Sequence, residues 1–146
     1  MIRCKKAKKK DKPMLINAKL LTLIPYIKDN KEQLKVIAYV NDLVLKHVDE
    51  FMIVYSFVKP IGVYRIKDGE LDTLYLEEKY QNKGYGSKII TKEKDRIQKI
   101  KVRKENKRAI LFYKKNGYSK ESLKSDYIIL RREDLNDNEW IFKTNS

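Results

Sequence analysis

Between Leu74 and Ser87 the chain reads Leu-Tyr-Leu-Glu-Glu-Lys-Tyr-Gln-Asn-Lys-Gly-Tyr-Gly-Ser, an apolar strand end that runs into a polar loop and then a helix start. No other stretch restricts the fold so closely. Gly84 and Gly86 stand one residue apart, which allows the backbone to turn tightly and approach a ligand without side-chain obstruction. A helix opening at this point aims unpaired N–H groups and the positive end of its dipole outward, which suits a phosphate or pyrophosphate. The segment reads as an anion cradle at a strand-to-helix junction.

Two familiar phosphate loops do not fit. A Walker A loop needs Gly, four residues and Gly-Lys-Ser/Thr, which this chain lacks. A dinucleotide fingerprint needs a third glycine where Ile89 stands, and its first glycine follows the strand directly, whereas Gly84 lies well beyond Leu76.

At 146 residues, the expectation is a single domain spanning 1–146. Hydrophobic residues make up 42% and charged residues 37%, a balance that fits a compact globular protein and argues against disorder. Cys4 is the only cysteine, which excludes an intramolecular disulfide and points to a cytoplasmic location. With His47 the only histidine, a His-rich metal site or a Ser-His-Asp triad is disfavoured, and no metal is expected. No apolar run approaches the roughly 18 residues needed to span a bilayer, so no membrane partner is expected. The charge of +14 leaves nucleic acid open as a partner, although lysines occur along the entire length, as on a solvated surface.

Ile2 to Ala7 reads as an opening strand. Asp11 and Pro13 mark a helix start, and Asp29 or Asn30 can cap a second helix. Leu34, Ile37, Ala38, Leu45 and Val48, with Val44 between them, form its expected buried stripe. Phe51 to Val58 is rich in β-branched and aromatic residues, Lys59-Pro60 punctuates it, and Ile61 to Lys67 follows as a strand. Asp68-Gly69 is a hairpin turn into Glu70 to Leu76. A helix from Gly84 to about Arg96, a strand from Ile97 to Arg103 and a helix from Lys107 to Lys115 come next. Asn106 caps that last helix and Asn116-Gly117 ends it. Tyr118 to Ser122 and Tyr127 to Arg132 read as a final strand pair. The order predicts a mixed α/β domain around one sheet.

Gln-x-x-Gly-x-Gly after a strand resembles the acetyl-CoA pyrophosphate loop of the GNAT N-acetyltransferase superfamily. A second block, Glu105-Asn106-Lys107-Arg108-Ala109-Ile110-Leu111-Phe112-Tyr113-Lys114-Lys115-Asn116-Gly117-Tyr118, resembles that superfamily's Asn-x-x-Ala-x-x-x-Tyr-x-x-x-Gly-Phe/Tyr signature, one helix and one strand downstream. The order of elements also matches across nearly the whole chain. The resemblance implies a mostly antiparallel central sheet of about six to seven strands flanked by about four helices. It also implies direct transfer of an acetyl group from acetyl-CoA to a primary amine through a ternary complex.

The resemblance assigns roles by position. Backbone N–H groups of Lys83, Gly84, Tyr85, Gly86 and Ser87, with Gln81 and Asn82 leading in, hold the pyrophosphate. The strand end Leu74, Tyr75 and Leu76 lies along the cofactor, and the N–H near Leu76 polarises the thioester carbonyl as an oxyanion donor does. Asn106 and Ala109 belong to the cofactor-binding signature, and Tyr113 is both a cofactor contact and the acid that protonates the departing thiolate. The attacking amine must lose a proton. Glu70 and Asp72, two apart on one strand and so on one face, are the candidate bases, with exposed strand carboxylates as the alternative reading. Glu32, Asp42, Asp49, Glu50, Glu70 and Asp72 are candidates for an anionic mouth facing a cationic amine. The acceptor is open among a small molecule, a peptide N-terminus and a lysine, and a homodimer is compatible with the sequence. The competing functions are a non-catalytic acyl-CoA sensor and a basic module acting on nucleic acid or the ribosome.

Overall fold

The computed structural model describes residues 2–134. Among them are four α-helices and one seven-stranded sheet. The strands are β1 (Ile2–Lys6), β2 (Phe51–Ser56), β3 (Lys59–Lys67), β4 (Glu70–Leu76), β5 (Lys99–Arg103), β6 (Lys120–Lys124) and β7 (Tyr127–Arg131). They lie in the order β1-β2-β3-β4-β5-β7-β6. The helices are α1 (Lys12–Leu21), α2 (Asn30–Lys46), α3 (Tyr85–Lys92) and α4 (Lys107–Lys115). The sheet is mostly antiparallel: β4 and β5 run parallel, paired through Glu70↔Lys99 and Leu71↔Ile100, as the intervening helix α3 requires. The described residues divide into two compact units, 2–65 with 73–86, and 66–72 with 87–134.

In the first unit β1, β2 and β3 pair antiparallel. Asp11 and Pro13 open α1, and the Asp29 carboxylate accepts the Glu32 N–H to cap α2. The buried side of α2 is Val40, Leu43 and Val44; Leu34 and Leu45, expected inside, are 67% and 60% exposed. Apolar residues occur on more than one side of this helix, so its own periodicity does not decide which side is buried. The predicted break at Lys59-Pro60 falls instead at Phe57 and Val58, and Pro60 lies within β3 opposite Tyr55. The register shifts between Val54 and Tyr55, and such an irregularity accommodates a proline without a ladder N–H.

In the second unit the core is Leu71, Ile89, Ile97, Ile100, Ile110, Tyr118 and Leu130. The hairpin turn at Asp68-Gly69 forms as expected, both residues having positive φ. Helix α3 stops at Lys92, short of the expected Arg96. The Glu93 carbonyl accepts the Arg96 and Ile97 N–H groups there, and a single 3-10 turn (Lys94–Arg96) follows. Tyr118 donates its hydroxyl to the Ile97 carbonyl at 2.9 Å, tying the start of the final strand pair to the entry of β5.

Candidate active site

At the end of β4 the polypeptide is tightly specified. Glu77 donates its N–H to the Ile61 carbonyl at 2.9 Å, on the β3 side. Consecutive peptide groups in an extended strand alternate sides, so the N–H and C=O of Leu76 both point away from β3. The Gln81 side-chain amide then donates to the Leu76 carbonyl at 2.8 Å. Gln81, expected to lead into the phosphate loop, thus closes that loop back on the strand. The Leu76 N–H shares the same side with a carbonyl that is already satisfied.

This geometry needs Gly62, which the sequence reading did not single out. Gly62 lies opposite Leu76. A Cβ there would meet the Tyr75 carbonyl oxygen and lie 2.7 Å from Leu76 Cδ2. The available signal was a glycine between Ile61 and Val63 inside a strand, which marks a close backbone approach. Leu74 and Tyr75 are half-buried beside it. The Tyr75 phenol is pushed up, by burial first and then by Glu77 and Glu78.

From Gln81 the loop turns through Asn82 and Gly84, whose φ values are +60° and +83°. A Cβ at Gly84 would project into open space. Its hydrogen therefore leaves the backbone bare toward whatever the loop holds, and its left-handed φ is one that side chains resist. Gly86 does not share this role; it lies inside α3, which begins at Tyr85. Asn82, Lys83 and Gly84 are exposed. The first turn of α3 carries no acidic residue, so its N–H groups at Tyr85, Gly86 and Ser87 present uncompensated positive dipole. The residues present fit an anionic group such as a pyrophosphate.

In the second unit, Asn106 caps α4 by accepting the Ala109 N–H at 3.2 Å. Tyr113, on the buried side of α4, is 6% exposed and packs edge-on against Phe112, with ring centroids 5.4 Å apart. Burial raises its phenol well above the ordinary range, and the Asp72 carboxylate raises it further. Glu70, at the head of β4, lies 3.8 Å from the Lys99 ammonium. Of the two candidate bases, Asp72 is thus the one whose charge reaches the phenol, whereas Glu70 faces an ammonium.

Three of the six carboxylates expected at an anionic mouth, Asp42, Glu50 and Glu70, pair with cations. Glu50 Oε1 accepts from Arg65 Nη2 at 2.6 Å and Nε at 3.1 Å, and Asp42 pairs with Lys46 at 3.1 Å. Lys19 on α1 is an unexpected buried cation, 3% exposed, donating to Thr73 Oγ1 at 2.6 Å. Among the described residues no three His, Cys, Asp or Glu side chains group as a metal ion would require.

The sequence family described as Acetyltransferase (GNAT) domain matches residues 47–120, from the end of α2 through the start of β6. This chain belongs to the GNAT acetyltransferase family. The match takes in β4, the glycine loop, α3 and α4, and the family's chemistry is acetyl-CoA-dependent acyl transfer. Solved structures share the fold. The PaiA N-acetyltransferase from Thermoplasma acidophilum, solved with coenzyme A, is 22% identical over 90% of this chain and 99% of that one, with a TM-score of 0.65. YjaB from Escherichia coli, in its apo form, is 15% identical over 89% and 95%, with a TM-score of 0.67. N-acetylglutamate synthase from Neisseria gonorrhoeae, complexed with coenzyme A and N-acetyl-glutamate, is 15% identical over 90% of this chain and 35% of that one, with a TM-score of 0.60. No curated protein sequence matches the chain.

Proposed function

We propose that this GNAT protein transfers the acetyl group of acetyl-CoA directly to a primary amine through a ternary complex. The observation that carries the reading is the end of β4. There Gln81 takes up the Leu76 carbonyl, and the adjacent N–H points to the same side, away from β3. A fixed backbone donor of this kind is what a developing oxyanion needs, and it is worth a few kcal/mol of transition-state stabilisation.

The other roles follow from the chemistry of the residues. The N–H groups of Lys83 to Ser87 hold the pyrophosphate, with Gly84 bare toward it. Leu74, Tyr75, Asn106 and Ala109 line the cofactor. Tyr113 donates a hydrogen bond to the departing sulfur. Because burial and Asp72 oppose formation of a tyrosinate, the phenol acts mainly as a hydrogen-bond donor to the thiolate, whose full protonation draws on the proton released by the attacking amine. Asp72 is the preferred base for that amine. The single Cys4 supports a reducing, cytoplasmic setting.

A thiol-release assay with acetyl-CoA against aminoglycosides, polyamines, amino acids and peptides tests the reading. Release that depends on an added amine, with the acetylated amine recovered, supports it. Tight coenzyme A binding with no transfer to any amine favours the sensor instead.

A further inference from the structure

The β2–β3 hairpin turns through two residues, Phe57 and Val58, with Ser56 and Lys59 paired across it. Phe57 is 74% exposed and Val58 86%. Phe57 has a φ of +57°, whereas Val58 is not among the positive-φ residues. A positive φ at the first central residue alone is the pattern of a type II′ turn, where glycine is the natural occupant because a side chain crowds the backbone. The chain therefore holds a phenyl ring in a backbone conformation that disfavours it, and presents that ring to water. Both features are unfavourable for folding, and such outliers point to use.

The surroundings of the tip are basic. Arg3 donates from Nη2 to the Phe57 carbonyl at 3.2 Å, fixing the turn. The Lys5 ammonium lies 5.8 Å from the Tyr55 ring centroid, and Lys59 immediately follows the turn. Glu77 is an acidic partner here, 4.0 Å from Lys59. Two side chains are far too small an apolar area for a specific protein interface, which needs roughly 800 Å² from each partner. An anionic bilayer surface makes no such demand. It accepts a small apolar protrusion, provided a second, electrostatic contribution accompanies it.

We propose that this hairpin tip docks on an anionic lipid surface, with Phe57 and Val58 entering the headgroup boundary and Arg3, Lys5 and Lys59 facing the headgroups. A contact of this kind needs no spanning helix, so the absence of a long apolar run does not bear on it.

Co-sedimentation of the full chain with vesicles tests this. Binding is expected to vesicles containing phosphatidylserine and not to pure phosphatidylcholine, and it should weaken as salt rises. Replacing the tip by Phe57→Gly with Val58→Ser should cut partitioning at least about tenfold, the loss expected for withdrawing one large apolar side chain. Glycine suits the turn, so this variant keeps the fold, and its circular dichroism and its release of thiol with a soluble amine should match the parent chain. Lys5→Glu with Lys59→Glu should weaken binding to the anionic vesicles. The proposal is overturned if the parent chain ignores anionic vesicles or if the tip variant binds them equally. It is also overturned if Phe57 instead drives self-association in lipid-free sedimentation.

Discussion

The Asp72 carboxylate lies near enough to Tyr113 for its charge to oppose ionisation of the buried phenol. β4 supplies the carboxylate and α4 the tyrosine, far apart in the chain. Burial first, and this carboxylate second, favour the protonated hydroxyl, which can then act as a donor. We therefore expect Tyr113→Phe to lower kcat by about 10²-fold with coenzyme A affinity unchanged. Asp72→Asn should slow turnover most near neutral pH, where the amine is still protonated, with the loss shrinking as pH rises toward the amine's pKa of about 10.4, and should leave coenzyme A affinity intact. Steady-state kinetics across pH, paired with calorimetric titration of coenzyme A, checks both. A Tyr113→Phe enzyme of undiminished rate would remove the phenol from the chemistry.

Gly62 tests the other half of the site. Alanine there forces its methyl group against the Tyr75 carbonyl and the Leu76 side chain. Backbone cannot step aside cheaply, so Gly62→Ala should destabilise the fold by about 1–3 kcal/mol in denaturant titration. It should also depress kcat beyond any loss of folded protein, because the strand carrying the Leu76 N–H is displaced. A variant that is stable yet fully active refutes the geometry.

The buried Lys19 and Thr73 make a pair whose members should not behave additively. Thr73→Val deprives a buried amine of a partner and should cost about 1–3 kcal/mol. Lys19→Met replaces the amine with apolar volume and should cost less. Adding it to Thr73→Val should recover stability. Denaturant midpoints of the two single variants and the double variant give the coupling directly.

Alkaline stability reports on the buried phenols. Burial pushes Tyr118 up to about 12 and Tyr113 higher still. Unfolding returns each to about 10, so above that pH the unfolded chain gives up protons that the folded chain retains. This stabilisation is complete below about pH 10 and is lost as pH climbs through the folded values, at about 1.4 kcal/mol per pH unit for each tyrosine. Tyr118→Phe should flatten the decline in unfolding free energy between these limits. An unchanged slope would show that the phenol is not protected in the folded state.

Much of this protein was legible before its structure. β4 runs from Glu70 to Leu76 and α4 from Lys107 to Lys115, as read. Asp29 and Asn106 cap their helices, and Asp68-Gly69 makes its turn. Each of these is decided by groups a few residues apart: a carboxylate or amide reaching an N–H three positions on, or two residues whose backbone tolerates a left-handed φ. The glycine loop and the Asn106-to-Tyr118 block belong to the same local class, which is why the family could be recognised from them. Other features depended on strand register and on packing between distant segments. These include the buried face of α2, the strained turn at Phe57, Gly62 against Leu76, Gln81 folded back on its strand, and Asp72 beside Tyr113. No run of neighbouring residues encodes them, because each is settled by which segment lies opposite and at what register. The sequence by itself determined the family, through the glycine segment and the Asn106-to-Tyr118 block. The tertiary structure decided which N–H of β4 faces away from β3 and which carboxylate reaches the phenol.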